Sequence, residues 1–353
     1  MVARPTNSEN DMIAKVRRRL DGELIPSQVI LELTHTCNLR CRHCYLEFRH
    51  EERELGKADW MRVIDETVDL GVYFAGFTGG EVFMRSDFLE IARHARDRGI
   101  FFYIQTNGTF IDEYMADTVR ELNPTKVEIS LYGATAATHD FITALPGSFV
   151  KTLKAIELLR ARDIRVPIKT TVMTHNCHEV AAIEKLARDF GTVCVPDPMV
   201  MPGAFGSRES DALRMTEEQF RKFMIDHGWH RGHPEEMCES VDDRDPVGRR
   251  LICSAARKNF VVSPGGEVLP CVLWRKSAGS VLEHSLASLW SGKVLSDIRK
   301  IDKKQLKKCT ICSSVDSCVR CAANAYIDTG DATAPASESC RMSILLREVK
   351  KHG

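Results

Sequence analysis

Gln28-Val29-Ile30-Leu31-Glu32-Leu33-Thr34-His35-Thr36-Cys37-Asn38-Leu39-Arg40-Cys41-Arg42-His43-Cys44 joins a β-rich run directly to three cysteines spaced C-x3-C-x2-C. The first half reads as a strand over Gln28–Thr34. Three thiolates on the short loop that follows can hold three corners of an iron–sulfur cube and leave one iron open, as a ligand-binding cluster requires. A zinc site or buried structural thiols is the competing reading. It is disfavoured because no fourth ligand lies close in sequence.

Working outward, the theme of strand, turn and amphipathic helix repeats to about residue 200. Further strands are predicted at Tyr73–Thr78, Phe101–Gln105, Lys126–Leu131, Val166–Met173 and Val193–Val195. Helices are predicted at Ala58–Leu70, where Trp60, Val63, Ile64, Thr67 and Val68 share one side, and at Asp87–Arg98 and Phe149–Arg162. Such alternation implies parallel strands joined by right-handed crossovers. Six units predict a partial (β/α)6 barrel, an α/β fold with reactive groups at the C-terminal strand ends. The polar clusters do fall there: Thr34-His35-Thr36-Cys37, Thr78-Gly79-Gly80-Glu81, Thr106-Asn107-Gly108 and Ser130-Leu131-Tyr132-Gly133.

The pattern breaks after residue 200. Met201–Ser210 is rich in Pro and Gly, a helix is predicted at Thr216–His227, and Glu235–Arg250 is polar. Beyond Cys253 the chain is cysteine-rich, with short strands at Phe260–Val262 and Glu267–Leu269 around the hairpin turn Ser263-Pro264-Gly265-Gly266. The expected divisions are an N-terminal segment 1–27, a barrel 28–234, a cysteine-rich auxiliary domain 235–345 and a tail 346–353.

Lys+Arg and Asp+Glu both number 49, so net charge argues for neither nucleic acid nor an anionic membrane. The basic run Lys303–Lys308 reads as a solvated helix face. No run of 18 apolar residues suggests a membrane span, and the N-terminal stretch around Arg17, Arg18 and Arg19 is too polar for a signal peptide. A cytoplasmic location is expected, where the 13 cysteines serve as metal ligands in preference to disulfides.

On these residues the chain resembles the radical SAM superfamily over roughly residues 28–200. The resemblance implies that Cys37, Cys41 and Cys44 hold the catalytic [4Fe–4S] cluster, whose open iron is chelated by S-adenosylmethionine. It places His43 where the family has an aromatic against adenine. Gly79-Gly80-Glu81 resembles the family's Gly-Gly-Glu-Pro stretch, with Val82 in place of the proline, and implies backbone and acid contacts to the methionyl amine. Thr106, Asn107 and Ser130 match positions near the ribose and carboxylate, and Lys169 on the fifth strand could reach the same carboxylate.

The tail reads C-x12-G-x4-C, then C-x2-C-x5-C-x2-C, then a last cysteine after 18 residues. It resembles the SPASM extension of radical SAM enzymes, which carries two auxiliary [4Fe–4S] clusters; zinc is the alternative. By that resemblance Cys309, Cys312, Cys318 and Cys340 close one cluster, and Cys253, Cys271 and Cys321 hold three corners of the other. The family has three residues before the last cysteine of the central run; here there are two, Val319 and Arg320. The fourth ligand of the incomplete set is either Cys238 or an iron open to substrate. Cys177 and Cys194 read as packing thiols.

The resemblance implies reductive cleavage of S-adenosylmethionine to a 5′-deoxyadenosyl radical and oxidation of a substrate, with an electron donor such as flavodoxin or ferredoxin. Ser130–Thr135, His139-Asp140 and Pro146-Gly147-Ser148-Phe149 look most like enzymes that modify ribosomally made peptides. Met1–Ser27 is too short for a leader-binding domain, so for a peptide substrate leader recognition is expected from a separate leader-recognising protein or another surface. Alternatives are haem-biosynthesis decarboxylation, sulfatase-type maturation and, in another class, a non-catalytic electron carrier.

Overall fold

The computed structural model describes residues 25–47, 53–228 and 253–352. Eight strands form one sheet in the order β6-β5-β4-β3-β2-β1-β7-β8. The first six are β1 (Gln28–Glu32), β2 (Phe74–Thr78), β3 (Phe101–Thr106), β4 (Lys126–Ser130), β5 (Ile168–Thr171) and β6 (Cys194–Asp197), all at their expected places. Each pairs in parallel with its neighbour, so six C-terminal ends open on one side. The ends differ from expectation for local reasons. Thr34 Oγ1 accepts the amide of Thr36 at 2.9 Å, which turns the chain soon after Glu32. Pro167 has no N–H to donate, and β5 begins after it.

Helices Lys57–Asp69, Phe88–Asp97 and Ser148–Arg160 lie between strands as expected. The first buries Trp60, Val63, Ile64 and Thr67 at helical spacing. Helices Glu113–Leu122, Ala136–Thr143 and Val180–Asp189 complete the alternation. Asp112 caps Glu113–Leu122 by accepting the Met115 amide, and Asn123 ends it in the left-handed conformation.

Strand alternation decides what faces where. Val29, Leu31, Ala75, Phe77, Phe102, Ile104, Val127, Ile129 and Ile168 enter the apolar core beneath the helices. Their neighbours in sequence, among them Ile30, Tyr103, Gln105, Glu128, Ser130 and Lys169, line a cavity within the sheet's curve. Gly76 is small for a reason: a Cβ there would sit 2.4 Å from the Tyr103 ring.

The expected tail hairpin exists, as β7 (Asn259–Val262) antiparallel to β8 (Val268–Leu269) around the Ser263–Gly266 turn. Beyond expectation, β7 also pairs in parallel with β1, Gln28 opposite Asn259 to Leu31 opposite Val262. The tail is thus an extension of the barrel sheet. The expected division near residue 235 lies outside the described residues. The expected tail 346–353 needs correction: helix Ser337–His352 runs through 345 without a break. Leu345, Leu346 and Val349 pack with Phe220, Phe223 and Met224, and that apolar contact holds the last turns in place.

A buried ion pair reinforces the β1–β7 junction. Glu32, fully buried on β1, accepts both Nη1 and Nη2 of Arg275, at 2.6 and 3.0 Å, and the Tyr45 hydroxyl at 3.0 Å. Burial alone would raise the Glu32 carboxyl, but His35 and Arg275 outweigh it and hold the group below the usual carboxylate value. A carboxyl depressed in the folded state contributes stability above its unfolded pKa, and that contribution is lost as pH falls through the folded value. Arg275→Leu should therefore destabilise the protein by about 3–5 kcal/mol near neutrality. The deficit should shrink on acidification through the carboxylate range, as read by denaturant unfolding at several pH values. A deficit constant across that range would show that Glu32 does not depend on Arg275 for its charge.

Candidate functional site

The cysteine loop is built between two supports. On one side, the amides of Arg40 and Arg42 donate to Thr143 and Ile142 carbonyls at 3.0 Å each, and the Arg42 guanidinium lies 4.1 Å over the Phe141 ring. On the other, Gly80 and Glu81 amides donate to Thr34 and Thr36 carbonyls at 2.7 and 2.9 Å. A Cβ at Gly79 would fall 2.2 Å from the Thr34 oxygen, and one at Gly80 would fall 2.3 Å from the Thr36 oxygen. The two glycines are there because backbone meets backbone. Beyond Cys44, Glu47 Oε1 accepts the amides of Phe205 and Ser207, which ties the loop to the chain after β6.

Cys37, Cys41 and Cys44 face one cavity of about 450 Å3. Burial pushes the Cys37 thiol up to about 11, Cys41 higher still, and Cys44 in the same direction, with each thiol opposing ionisation of another. Thiols so placed need a cation to become thiolates. Among the described residues no three His, Cys, Asp or Glu side chains close around a single ion. The triad instead rims a cavity, and amides already face its sulfurs: Leu39 N lies 3.4 Å from Cys37 Sγ, and Leu46 and Glu47 amides face Cys44. Soft sulfur donors, spread around a space and met by N–H groups, fit an iron–sulfur group better than a lone zinc ion.

Most expected site residues line this same cavity: His43, Gly79, Gly80, Thr106, Asn107, Ser130 and Lys169 with the three cysteines. Glu81 is not among the lining residues and sits directly behind them. Its carboxylate is fully buried and accepts the Thr106 hydroxyl and Asn107 amide at 2.8 Å each and the Phe83 amide at 3.2 Å. Burial pushes the group up to about 7, against those three donors. Glu81 is thus a strut between the ends of β2 and β3. Asn107, so positioned, donates to Asn38 Oδ1 at 2.9 Å and lies 4.0 Å from Cys37 Sγ.

His43 meets the Tyr132 ring edge-on, 4.5 Å between centroids. Burial pushes its imidazole down to about 4, so it is neutral at pH 7, and Nδ1 has no partner among the described residues. Lys169 lies 3.6 Å from Glu128, which also takes Lys126 at 2.8 Å and Gln105 at 2.9 Å. Sequence reasoning missed Tyr103, Gln105, Glu128 and Asp197 as cavity residues. Strand alternation would have found the first three, because each lies between core residues of its strand. Of the other quoted stretches, Tyr132 reaches the cavity but Pro146–Phe149 does not. There Asp140 accepts Gly147 N, Ser148 Oγ and Phe149 N at 2.6, 2.9 and 2.8 Å, and so fixes the start of a helix.

In the tail, the thiols fall into the two expected groups. Cys253, Cys271 and Cys321 are close enough to oppose one another's ionisation. Cys309 and Cys312 oppose ionisation of Cys318, and all three oppose that of Cys340. Cys238 lies outside the described residues. Cys194 packs against the main core, and Cys177 against the smaller cluster around Phe220. The first group adjoins the cavity. Val272, next to Cys271, lines it, and Asn324 joins Cys321 Sγ (amide, 3.4 Å) to the cavity residues Met199 and Met201 (3.8 and 3.7 Å from Nδ2).

A partial barrel with a three-thiol loop at the end of β1, and a sulfur-rich extension against the same cavity, defines an iron–sulfur enzyme of the kind that uses S-adenosylmethionine. Residues 31–190 match the Radical SAM superfamily, and residues 253–313 match an iron–sulfur cluster-binding domain of SPASM type. The chain belongs to the radical SAM superfamily and carries a SPASM domain. It is 29% identical over 334 residues to the AdoMet-dependent heme synthase of Methanosarcina barkeri, covering 87% of this chain and 94% of that one. It is 27% identical over 277 residues to the PqqA peptide cyclase of Granulibacter bethesdensis, covering 76% of this chain and 74% of that one. Streptococcus suis SuiB, solved with the precursor peptide SuiA, superposes with a TM-score of 0.71 at 15% identity, over 96% of this chain and 83% of that one. Among the described residues no helix is long and apolar enough to cross a membrane.

Two substitutions separate ligand contact from support. Gly80→Ala forces a Cβ against the Thr36 carbonyl and should weaken S-adenosylmethionine binding by about tenfold or more, roughly 1.4 kcal/mol. Glu81→Ala strands three buried donors and should lower folding stability by about 2–5 kcal/mol, with Glu81→Gln costing less. The checks are equilibrium binding and thermal unfolding of reconstituted protein. A Glu81→Gln variant with unchanged stability and lost binding would restore a direct role for the carboxylate.

Proposed function

We propose that this chain is a radical SAM oxidoreductase with one catalytic and two auxiliary [4Fe–4S] clusters, and that its substrate is a peptide. The observation that carries the reading is a single cavity bounded by the Cys37–Cys41–Cys44 loop and, across from the strand ends, by Val272, Met199 and Met201 beside the Cys253–Cys271–Cys321 group. Cys37, Cys41 and Cys44 would hold the catalytic cluster. When bound, that cluster would supply one electron to S-adenosylmethionine, whose C–S cleavage to methionine would furnish a carbon radical able to take hydrogen from an unactivated carbon.

The chain's own residues bind, orient and exclude water. Gly79 and Gly80 present backbone to the methionyl amine without side chains in the way. His43, neutral and packed on Tyr132, offers a ring face or edge to adenine. Asn107, Thr106 and Ser130 supply neutral hydrogen-bonding groups for the ribose and carboxylate. Lys169 offers the cation. The apolar Val272, Met199 and Met201 keep the far wall dry, which protects a radical from side reactions. A cluster held by the tail thiols next to that wall would suit taking up the electron left on an oxidised substrate. A flavodoxin or ferredoxin would supply the first electron, and a separate leader-recognising protein would deliver the peptide.

Charge favours a peptide over a porphyrin. Among the described residues that line the cavity Lys169 is the one Lys or Arg, and it already faces Glu128, with Asp197 nearby. A porphyrin bearing several carboxylates would bring more negative charge than one engaged lysine can meet. The peptide cyclase similarity points the same way. The second reading, oxidative decarboxylation of a porphyrin, is favoured by one observation: the heme synthase aligns over 94% of its length.

Anaerobically reconstituted protein should hold about twelve irons per chain. Zinc together with about four irons would overturn the reading of the tail. Replacing Cys37, Cys41 and Cys44 by Ala should abolish dithionite-dependent 5′-deoxyadenosine. Replacing Cys309 or Cys312 should abolish product while sparing some cleavage. Equal loss of cleavage in folded tail variants would make the tail structural. For substrate, mass spectrometry of a short peptide encoded beside the gene should show loss of a hydrogen pair per modification, with matching 5′-deoxyadenosine. Unchanged peptide beside an iron porphyrin that loses carboxyl groups would decide for the second reading.

A further inference from the structure

A second, smaller cavity of about 20 Å3 lies beside Cys253, lined by Arg257, Trp274, Arg320 and apolar side chains, among them Ile298 and Ile301. Two buried N–H groups on its lining have no acceptor among the described residues: Trp274 Nε1 and Arg320 Nε. Both residues are almost wholly buried. Leaving one such donor unmade costs about 1–3 kcal/mol, so two beside one cavity call for an acceptor.

The Arg320 charge is equally unmet. Nη2 donates to the carbonyls of Ala332 and Ala334, the latter at 2.9 Å, but among the described residues no carboxylate lies within ion-pair distance. Buried guanidinium groups are normally paired with an anion. The groups that sense this charge are the Asp331 carboxylate, which lies beyond ion-pair distance, and thiols of both tail sets: Cys253 and Cys321 of one, Cys318 and Cys340 of the other. Arg320 is one of the two residues between Cys318 and Cys321, so the central run places it between the sets. A water in the cavity would find donors on its walls and little to donate to, whereas sulfur carrying negative charge accepts from all of them.

We infer that Trp274 Nε1–H and Arg320 Nε–H donate hydrogen bonds to sulfur of the cluster held by Cys253, Cys271 and Cys321, and that the Arg320 guanidinium, lying between the two tail clusters, raises the reduction potential of both. The inference rests on the proposed assignment of auxiliary clusters to these cysteines. The sign follows from electrostatics: reduction adds one negative charge, and donors and a cation stabilise the more negative state. Trp274 and Arg320 are tuning residues, with no part in bond making or breaking.

The experiment is a potentiometric titration followed by electron paramagnetic resonance on full-length reconstituted protein, with iron and sulfide assayed on the same samples. Trp274→Phe keeps the ring that packs 5.6 Å from Tyr326 and removes only the N–H. It should lower one auxiliary potential by the equivalent of about tenfold in the reduction equilibrium, about 59 mV for one electron, and leave the other unmoved. Arg320→Gln should lower both, and Arg320→Lys should recover most of the shift at the Cys309 cluster. Unaltered protein grown with 15N-indole tryptophan should show a 15N coupling in the reduced auxiliary signal, which needs no variant to fold. Full iron loading with unshifted potentials, or with no 15N coupling, would overturn the inference alone. Loading of only about four irons would overturn it together with the functional reading.

Discussion

The Glu32 carboxylate, fully buried at the end of β1 and gripped by Arg275 and Tyr45, is the constraint on which the rest of the structure turns. The three groups of this contact come from three places. The strand carries the carboxylate, the cysteine loop supplies Tyr45 next to Cys44, and the extension supplies Arg275 four residues after Cys271. A buried carboxylate needs its cation, so the barrel and the extension are held in one relative position. The parallel pairing of β7 with β1 adds backbone hydrogen bonds to the same junction. The three thiols that line the cavity and the tail thiols that adjoin its wall are consequently held in one fixed geometry.

Within that frame the site follows from period-two strands. A parallel sheet curved around a cavity must turn alternate residues inward, and here these include Tyr103, Gln105, Glu128, Ser130 and Lys169. Inward polar groups are tolerated because they bond one another. Glu128 is met by Lys126, Gln105 and Lys169, and Tyr103 accepts from Gln28 at 3.1 Å. Loop ends are held by the same economy of partners. Glu81 spans from β2 to β3, and the glycines before it press against the cysteine loop, so the thiols stand on packed backbone with little freedom.

Much of this was legible from sequence. C-x3-C-x2-C was legible from its place after a strand, and the paired cysteines of the tail from their resemblance to the SPASM pattern, because a short loop has few ways to present thiols. The six strands and the helix that buries Trp60, Val63 and Ile64 were legible because periodicity is a local property. The hairpin around Ser263–Gly266 was legible from its turn residues. What sequence left out are partners that lie at a distance. The acid of Gly79-Gly80-Glu81 is also held by Thr106 and Asn107 of β3 and the turn after it. Pro146–Phe149 is also the start of a helix, fixed by Asp140.

The sequence by itself therefore determined the alternating architecture, the sulfur donors and the family, since each rests on neighbours within a turn or a loop. Tertiary structure alone decided that β7 joins β1, that the last helix packs on Phe220 and Phe223, and that Arg320 is buried beside two sets of thiols with no carboxylate in ion-pair contact among the described residues. The physical reason is that burial and ion pairing are set by groups tens to hundreds of residues away. Arg275 and Glu32, 243 residues apart, meet only when the whole sheet has formed.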